Sequence, residues 1–139
     1  GLKTHLAIET AYGNNMGKII QNGSTQALGG DPRKIGSYAR ERYVYAPSPG
    51  LFQTTFNPGD KVEKDQDVAQ INEINIQAPL TGILRGITHD NVLVALYTKI
   101  IEVDVRGKEA QISGIAERPH RIALSVLEAA KDWKKHHAN

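Results

Sequence analysis

One pattern of small and apolar residues occurs twice in this chain, and this internal repeat constrains the fold more than any other feature. A constant shift of 32 positions aligns copy one, residues 46–71, with copy two, residues 78–103, without a gap. A repeat of this period indicates two copies of one small structural unit. The aligned positions are the following: Ala46 with Ala78, Pro47 with Pro79, Gly50 with Gly82, Val62 with Val94, Val68 with Ile100, Ala69 with Ile101 and Ile71 with Val103.

The turns inside the two copies are not identical in sequence. Gly59 in copy one is matched by Asn91 in copy two, and both residues enter the left-handed region at low cost. Asp65 is matched by Tyr97, which is a poor residue for a turn that needs a positive φ. We therefore expect copy two to turn differently at Tyr97.

The residues before the repeat are typical of a β-hairpin followed by a loop. Leu6 and Ile8 alternate with polar neighbours, turn-forming residues follow, and Ile19-Ile20 resumes an apolar strand. From Ser24 to Ser37 the periodicity vanishes and glycine and proline are frequent. This region is predicted to be a hairpin with a Gly/Pro loop.

After the repeat the spacing of apolar residues changes to that of a helix. Pro119 suits a first helical turn, and a helix is predicted from about Pro119 to His136. Basic residues at its end complement the negative end of the helix dipole. The helix should bury one apolar stripe, which consists of Ile122, Val126, Leu127, Ala130 and Trp133. Trp133 should contribute the largest buried surface.

The predicted fold is therefore mostly β with one C-terminal helix. A chain of 139 residues is close to the usual size of one domain with one core. We divide it into residues 1–43, an N-terminal β-hairpin and Gly/Pro loop, residues 44–106, the β domain that holds both copies, and residues 107–139, a connector and an amphipathic helix.

Composition argues against several classes of function. Seventeen basic and fifteen acidic residues leave a net charge of +2, which does not favour nucleic acid. The absence of cysteine removes disulfides and thiolate sites and suits a cytoplasmic protein. No apolar run approaches the ~20 residues that cross a bilayer. No signal-peptide pattern opens the chain. Because its first residue is Gly1 and its only methionine is Met16, we expect its natural start upstream.

The residue pattern does not predict an enzyme or a metal centre. A catalytic site needs titratable groups that converge, and here they lie on separate predicted elements. His136 and His137 are adjacent and point about 100° apart on a helix, so they do not share a metal as an i, i+4 pair does. No catalytic residue or metal ligand is predicted, and the scattered candidates are the following: His5, Glu9, Asp31, His89, Asp104 and His120.

The repeated Ala-Pro-x-x-Gly, with Gly59-Asp60-x-Val62 and Gln66-x-Val68, resembles the biotinyl/lipoyl carrier pattern. The resemblance implies a barrel-sandwich hybrid, in which two interlocked short sheets are related by a pseudo-twofold axis. Carriers hold a modified lysine at the tip of the hairpin that links the copies. The corresponding link here, Gln70 to Gln77, contains no lysine. We therefore expect no attachment lysine and no covalent cofactor, although a carrier or a rigid adaptor domain without a covalent cofactor remains an alternative.

A longer series of motifs covers most of the chain. It includes Ile8-Glu9-Thr10-x-x-Gly13-x-x-x-Gly17-Lys18-Ile19-Ile20, Ala78-Pro79-Leu80-x-Gly82-x-Leu84-Arg85-Gly86-Ile87 and Val126-Leu127-Glu128-Ala129. In this order, the motifs resemble the C-terminal region of YqeB-type accessory proteins of selenium-dependent molybdenum hydroxylase systems. That resemblance implies a noncatalytic accessory or maturation module in the cytoplasm. It would act through contacts with a protein partner, the hydroxylase or its maturation machinery, or with the molybdenum cofactor, and family members carry a further N-terminal region.

Polar residues in or near these motifs are the candidate cofactor-binding residues: Glu9, Thr10, Lys18, Arg42 and Arg85. The guanidinium groups of Arg42 and Arg85 suit a carboxylate, a phosphate or the pyranopterin phosphate of a molybdenum cofactor. The alternative, which we favour, is an intramolecular ion pair with Glu9 or Asp104 as the acidic partner.

Overall fold

The computed structural model describes residues 4–27, 29–30 and 32–137, which form three antiparallel sheets and one α-helix, α1 (Glu117–His137). Two short 3₁₀ helices lie at Arg40–Arg42 and Gly107–Glu109. The prediction of a mostly β chain with a C-terminal helix is confirmed. The strands are β1 (Ala7–Ile8), β2 (Ile19–Ile20), β3 (Tyr43–Tyr45), β4 (Gly50–Gln53), β5 (Lys61–Val62), β6 (Asp67–Ile71), β7 (Ile74–Gln77), β8 (Gly82–Ile87), β9 (Val92–Val94) and β10 (Lys99–Asp104).

Contacts group the chain into two compact units. The first unit combines Gly1–Gly30 with Gly114–Asn139, and the second is Asp31–Ser113. The second unit holds both copies of the repeat. The division into residues 1–43, 44–106 and 107–139 stays a prediction.

The second unit contains two four-stranded sheets with the same design. One has the order β3-β10-β8-β5 and the other has the order β7-β6-β4-β9. The repeat shift carries β7, β6, β4 and β9 onto β3, β10, β8 and β5, so the two sheets correspond strand by strand. Each sheet mixes the copies, because β5 of copy one pairs with β8 of copy two and β9 of copy two pairs with β4 of copy one. Neither copy therefore completes a sheet by itself.

The apolar positions of the repeat form the core of this unit. Most equivalent residues of the two copies are buried alike, and each buried Val, Leu, Ile or Phe side chain contributes about 1.5–3 kcal/mol relative to an exposed one. The core draws on both sheets and consists of the following residues: Ala46, Phe52, Val62, Val68, Ile71, Ile76, Ala78, Leu84, Val94, Ile100, Ile101 and Val103.

The turns at Asp65 and Tyr97 have the same conformation, so the expectation that copy two turns differently was wrong. The φ angles are 65° at Asp65 and 62° at Tyr97. The backbone N–H of Asp65 donates to Ala78 O at 2.9 Å, and that of Tyr97 donates to Ala46 O at 2.9 Å. Each turn is thus held by a buried alanine of the other copy, and this contact imposes a conformation that costs a non-glycine residue about 1–2 kcal/mol.

The hairpin that links the copies is tight. Ile71 of β6 pairs with Ile74 of β7, which leaves Asn72 and Glu73 as the turn. Asn72 takes φ 53°, a conformation that asparagine adopts more readily than most residues. Its side chain accepts a hydrogen bond from Leu51 N and donates one to Pro49 O, each at 3.3 Å. The turn is therefore fastened to the start of β4.

In the first unit, β1 and β2 pair in antiparallel register, Ala7 with Ile20 and Ile8 with Ile19, which confirms the N-terminal hairpin. Helix α1 begins two residues earlier than predicted and ends one residue later. The ring of Trp133 lies 4.7 Å from that of His5.

The apolar stripe of α1 is only partly covered within the described residues. Of the predicted stripe, Ile122 is half-buried, Val126, Leu127 and Ala130 are exposed, and Trp133 keeps 38% of its surface exposed. The residue that is buried is Ala129, next to the predicted Ala130. The predicted burial of Trp133 is therefore partial.

The repeated glycine Gly82 lies where a side chain does not fit. A Cβ added there would be 2.5 Å from Asp104 O and 2.8 Å from Val103 Cγ1, whereas one added at Gly86 of the same strand would meet nothing closer than 3.9 Å. We expect Gly82→Ala to lower the free energy of unfolding by about 1–3 kcal/mol through overpacking. Gly86→Ala should leave it unchanged or raise it by about 0.4–1 kcal/mol. Urea unfolding of both variants checks this, and equal losses would contradict the close approach at Gly82.

Candidate functional site

Three cationic side chains converge on one carboxylate in the second unit. Glu102 Oε1 accepts hydrogen bonds from Arg42 Nη1 at 3.2 Å and from Arg85 Nη1 at 2.9 Å, and Glu102 Oε2 accepts one from Lys99 Nζ at 2.9 Å. We call these four residues the Glu102 cluster. It contains two of the predicted site residues, Arg42 and Arg85, and two that the sequence did not single out.

The strand register explains why these side chains meet. Glu102 lies on β10, the strand between β3 and β8, and pairs with Tyr43 on one side and with Gly86 on the other. Arg42 precedes Tyr43 and Arg85 precedes Gly86 in the chain. Arg42 is the last residue of the 3₁₀ helix before β3, and Arg85 is left out of the pairing where the register shifts between Glu102–Gly86 and Val103–Leu84. Glu102 therefore receives one arginine from each side of β10.

Arg42 is the buried member of the cluster. Only 2% of it is exposed, and its Nη2 donates to Tyr43 Oη at 3.1 Å and to Arg33 O at 3.3 Å. Within the described part of the chain, its Nε has no hydrogen-bond partner. A buried guanidinium is costly unless it is paired, so the contact with Glu102 is needed for stability.

The cluster carries more positive than negative charge. Burial raises the pKa of Glu102, but hydrogen bonds and charges from Lys99, Arg42 and Arg85 outweigh it, and the pKa lies below the ordinary value of 4.5. The carboxylate is therefore ionised at neutral pH and balances one of three cations. Lys99 Nζ also lies 4.6 Å from the centre of the Tyr43 ring, a favourable cation–π position.

The expected ion pairs of Arg42 and Arg85 exist, but the predicted partners were wrong. The acceptor is Glu102, because the register of β10 places it between the two arginines. Asp104 is fully buried and binds Arg106, whose Nε and Nη2 donate to Oδ1 and Oδ2 at 3.0 and 2.6 Å. These hydrogen bonds lower the pKa of Asp104, against the effect of burial.

The other predicted site residues belong to the first unit. The carboxylate of Glu9 is buried and accepts backbone N–H groups of Gln26 and Ala11, each at 2.8 Å, which lower its pKa in that order. Glu9 thus holds the segment around Gln26 to the hairpin. Thr10 O accepts a hydrogen bond from Arg118 Nε at 2.8 Å.

Lys18 is exposed and lines a cavity of about 480 Å³ together with Glu9. Its backbone O accepts a hydrogen bond from Glu9 N at 2.9 Å. The first unit therefore brings Glu9, Thr10 and Lys18 together, and the second unit brings Arg42 and Arg85 together.

The scattered titratable residues show no metal-binding arrangement in the described residues, where no three His, Cys, Asp or Glu side chains lie close enough to hold an ion. His136 Nδ1 contacts Asp132 O at 2.8 Å, whereas Asp31 and the side chain of His137 lie outside the described residues. Among the helices that are described, none combines the length and the apolar composition of a membrane span.

The fold and the cluster define a class: a mostly β chain with one C-terminal helix, in which three cationic side chains surround one carboxylate. No family model matches the chain. The chain is 34% identical over 129 residues to uncharacterized protein YqeB of Escherichia coli (strain K12), an alignment that covers 93% of the chain. The predicted similarity to a YqeB-type sequence is thereby confirmed. The chain spans 24% of the length of that relative.

We expect Glu102→Gln to lower the free energy of unfolding at pH 7 by about 1–3 kcal/mol, because Arg42 stays buried without a charged acceptor. The folded-state pKa of Glu102 is depressed, so its contribution is complete above the ordinary value of 4.5 and is lost as the pH falls through the lower folded value. The difference between the two proteins should therefore shrink below about pH 4. Urea unfolding from pH 7 to pH 3 measures it.

The matched control is Glu73→Gln, because Glu73 is exposed in the turn that links the copies. This change should stay within about 0.5 kcal/mol of the original protein at every pH. A Glu102→Gln deficit that is constant from pH 7 to pH 3 would show that the carboxylate charge is not what stabilises the cluster.

Proposed function

We propose that this chain is a noncatalytic binding module of a YqeB-type accessory or maturation protein for a molybdenum hydroxylase. The Glu102 cluster is the contact site, and it binds an acidic group of the hydroxylase or a phosphate of the molybdenum cofactor. The observation that carries the proposal is the meeting of three cationic side chains at one carboxylate in the Glu102 cluster. The choice of a molybdenum hydroxylase as the partner rests on the resemblance of the motifs to YqeB-type accessory proteins.

The chemistry of the donors supports an anionic ligand. Arg85 and Lys99 keep 31% and 46% of their side-chain surface exposed, so their remaining N–H groups can reach a ligand. One guanidinium group can bind two oxygens of a carboxylate or a phosphate through two parallel N–H···O hydrogen bonds. Glu102 holds both side chains in place before a ligand arrives, which reduces the entropy that binding costs. Arg85 and Lys99 would hold a phosphate. The buried Arg42 would keep Glu102 in position through its hydrogen bond to Oε1.

A barrel-sandwich hybrid is the finer fold that we propose for the second unit. Two features support it: the sheets correspond strand by strand under the repeat shift, and each sheet contains strands of both copies. This arrangement agrees with the interlocked sheets that the carrier resemblance implies. A binding module on such a frame would present the Glu102 cluster on a rigid surface.

We expect Arg85→Ala combined with Lys99→Ala to reduce co-purification of the molybdenum hydroxylase with the tagged full-length protein. Both side chains are partly exposed, so the loss of their two ion pairs should cost no more than about 2 kcal/mol of stability. Thermal unfolding and quantitative mass spectrometry of the purified complex measure the two effects. The matched control is Lys61→Ala combined with Lys64→Ala, which removes two exposed lysines of copy one.

Two results would count against the proposal, and they differ in meaning. If no hydroxylase co-purifies with the original protein, the accessory role is wrong. If the hydroxylase co-purifies equally with both double variants, the Glu102 cluster is not the contact site.

A carrier is the alternative that the repeat itself suggests. Its attachment lysine would have to stand at the linking turn, where Asn72 and Glu73 stand instead. The side chain of Asn72 is also engaged with Pro49 and Leu51. We expect the intact mass to stay unchanged when the chain is co-expressed with a biotin or lipoate ligase and the cofactor. A mass increase equal to biotin or lipoate would establish the carrier instead.

A further inference from the structure

We infer that the edge of the sheet at β9, with the turn that follows it, is a docking surface for a partner protein segment that carries apolar side chains beside carboxylates. The inference deepens the proposed function and rests on it, because the Glu102 cluster supplies the charged part of the surface. The apolar part, which we call the β9 patch, consists of four exposed residues: Val92, Leu93, Leu96 and Tyr97.

The repeat provides an internal comparison for the β9 patch. At the equivalent positions copy one has only charged residues: Asp60 for Val92, Lys61 for Leu93, Lys64 for Leu96 and Asp65 for Tyr97. The two segments share their strand pairing and their turn hydrogen bonds. The fold therefore accepts charged residues at all four positions. The apolar residues of copy two need another reason, and an exposed group of this kind marks an interaction surface.

Tyr97 is both strained and exposed. Its φ of 62° is unfavourable for a bulky residue, and 76% of its surface is exposed, so burial does not offset the strain. Leu93 is 79% exposed on the adjoining strand. Strained residues of this kind cluster at binding sites, where the surroundings impose their conformation. Tyrosine and other large side chains also supply much of the binding energy at protein interfaces.

Backbone hydrogen bonds and strand pairing link the turn of the β9 patch to the strands that carry the Glu102 cluster. Tyr97 N donates to Ala46 O, and the neighbouring Tyr45 is exposed and pairs with Lys99 across β3 and β10. The ring of Tyr45 packs edge-on against Tyr43 at 6.4 Å, and Lys99 lies over Tyr43. Along these links the residues change from apolar to aromatic to cationic, and we infer that they form one surface. Its complement is an apolar segment flanked by aspartate or glutamate.

Two other occupants fit this surface less well. A second copy would bring two cation clusters toward each other, and like charges across an interface are unfavourable. A bilayer cannot satisfy the free backbone groups of the edge strand β9, whereas an extended peptide can pair with them. We therefore assign the surface to a protein segment.

The test places a photo-crosslinking residue, p-benzoylphenylalanine, at position 93 of the full-length protein in cells that produce it naturally. The matched control carries the same residue at position 61, its equivalent in copy one. We expect irradiation to give a heavier adduct at position 93 and none above background at position 61. Peptide mapping should place the crosslink in an apolar segment with flanking Asp or Glu. Adding Tyr97→Asp should reduce the adduct about tenfold or more.

Tyr97→Asp should leave folding unaffected, because aspartate occupies the equivalent position 65 at nearly the same φ. Leu93→Lys, which likewise introduces the copy-one residue, tests the patch independently by co-purification. The inference is overturned by equal adducts at positions 93 and 61, by an adduct of the protein with itself, by an adduct with lipid or by a crosslink to a basic segment.

The failure of the inference and that of the proposed function are distinguishable. If Arg85→Ala with Lys99→Ala removes the hydroxylase while Tyr97→Asp and Leu93→Lys do not affect its binding, the β9 patch is not part of the surface and the proposed function stands. If the position-93 adduct persists with a protein unrelated to the hydroxylase, the docking surface stands and the proposed function is wrong.

Discussion

The second unit depends on two buried alanines, each of which is held by the turn of the other copy. Ala46 accepts from Tyr97 and donates to Thr98, and Ala78 accepts from Asp65 and donates to Gln66. A larger side chain would not fit at either alanine, since both are fully buried. These reciprocal hydrogen bonds join the copies and set the turns. They also allow β5 and β9 to pair with strands of the opposite copy.

The same frame creates the asymmetry on which the proposed function rests. The backbone of the two copies is nearly equivalent, so differences between them must come from side chains. Copy two carries the exposed apolar residues at β9 and the charged residues Arg85, Lys99 and Glu102, whereas copy one carries Lys61 and Asp65 on its matching strand and turn. A repeated core with unlike surfaces suits a module that binds through one side, because the core provides the stability and the surface residues are free to differ.

Much of the fold could be predicted from the spacing of apolar residues. The pairs Val62 with Val94 and Val68 with Ile100 are buried as the repeat indicated, and the hairpin and helix were also predicted. The site was predicted only in part. Arg42 and Arg85 were candidates, but Glu102 was missed because no local motif marks it. The turn at Tyr97 was misjudged because residue preference was weighed without the hydrogen bond from the other copy.

The sequence by itself determined the two copies, the buried positions and the absence of a lysine in the linking turn, because these follow from residue type and spacing along the chain. Only the tertiary structure decided which charges meet and which apolar residues stay exposed. Arg42, Arg85 and Glu102 come from three separate segments, and their contact depends on the register of β3, β8 and β10. Register is a property of the paired strands, and one residue of slippage would separate these side chains.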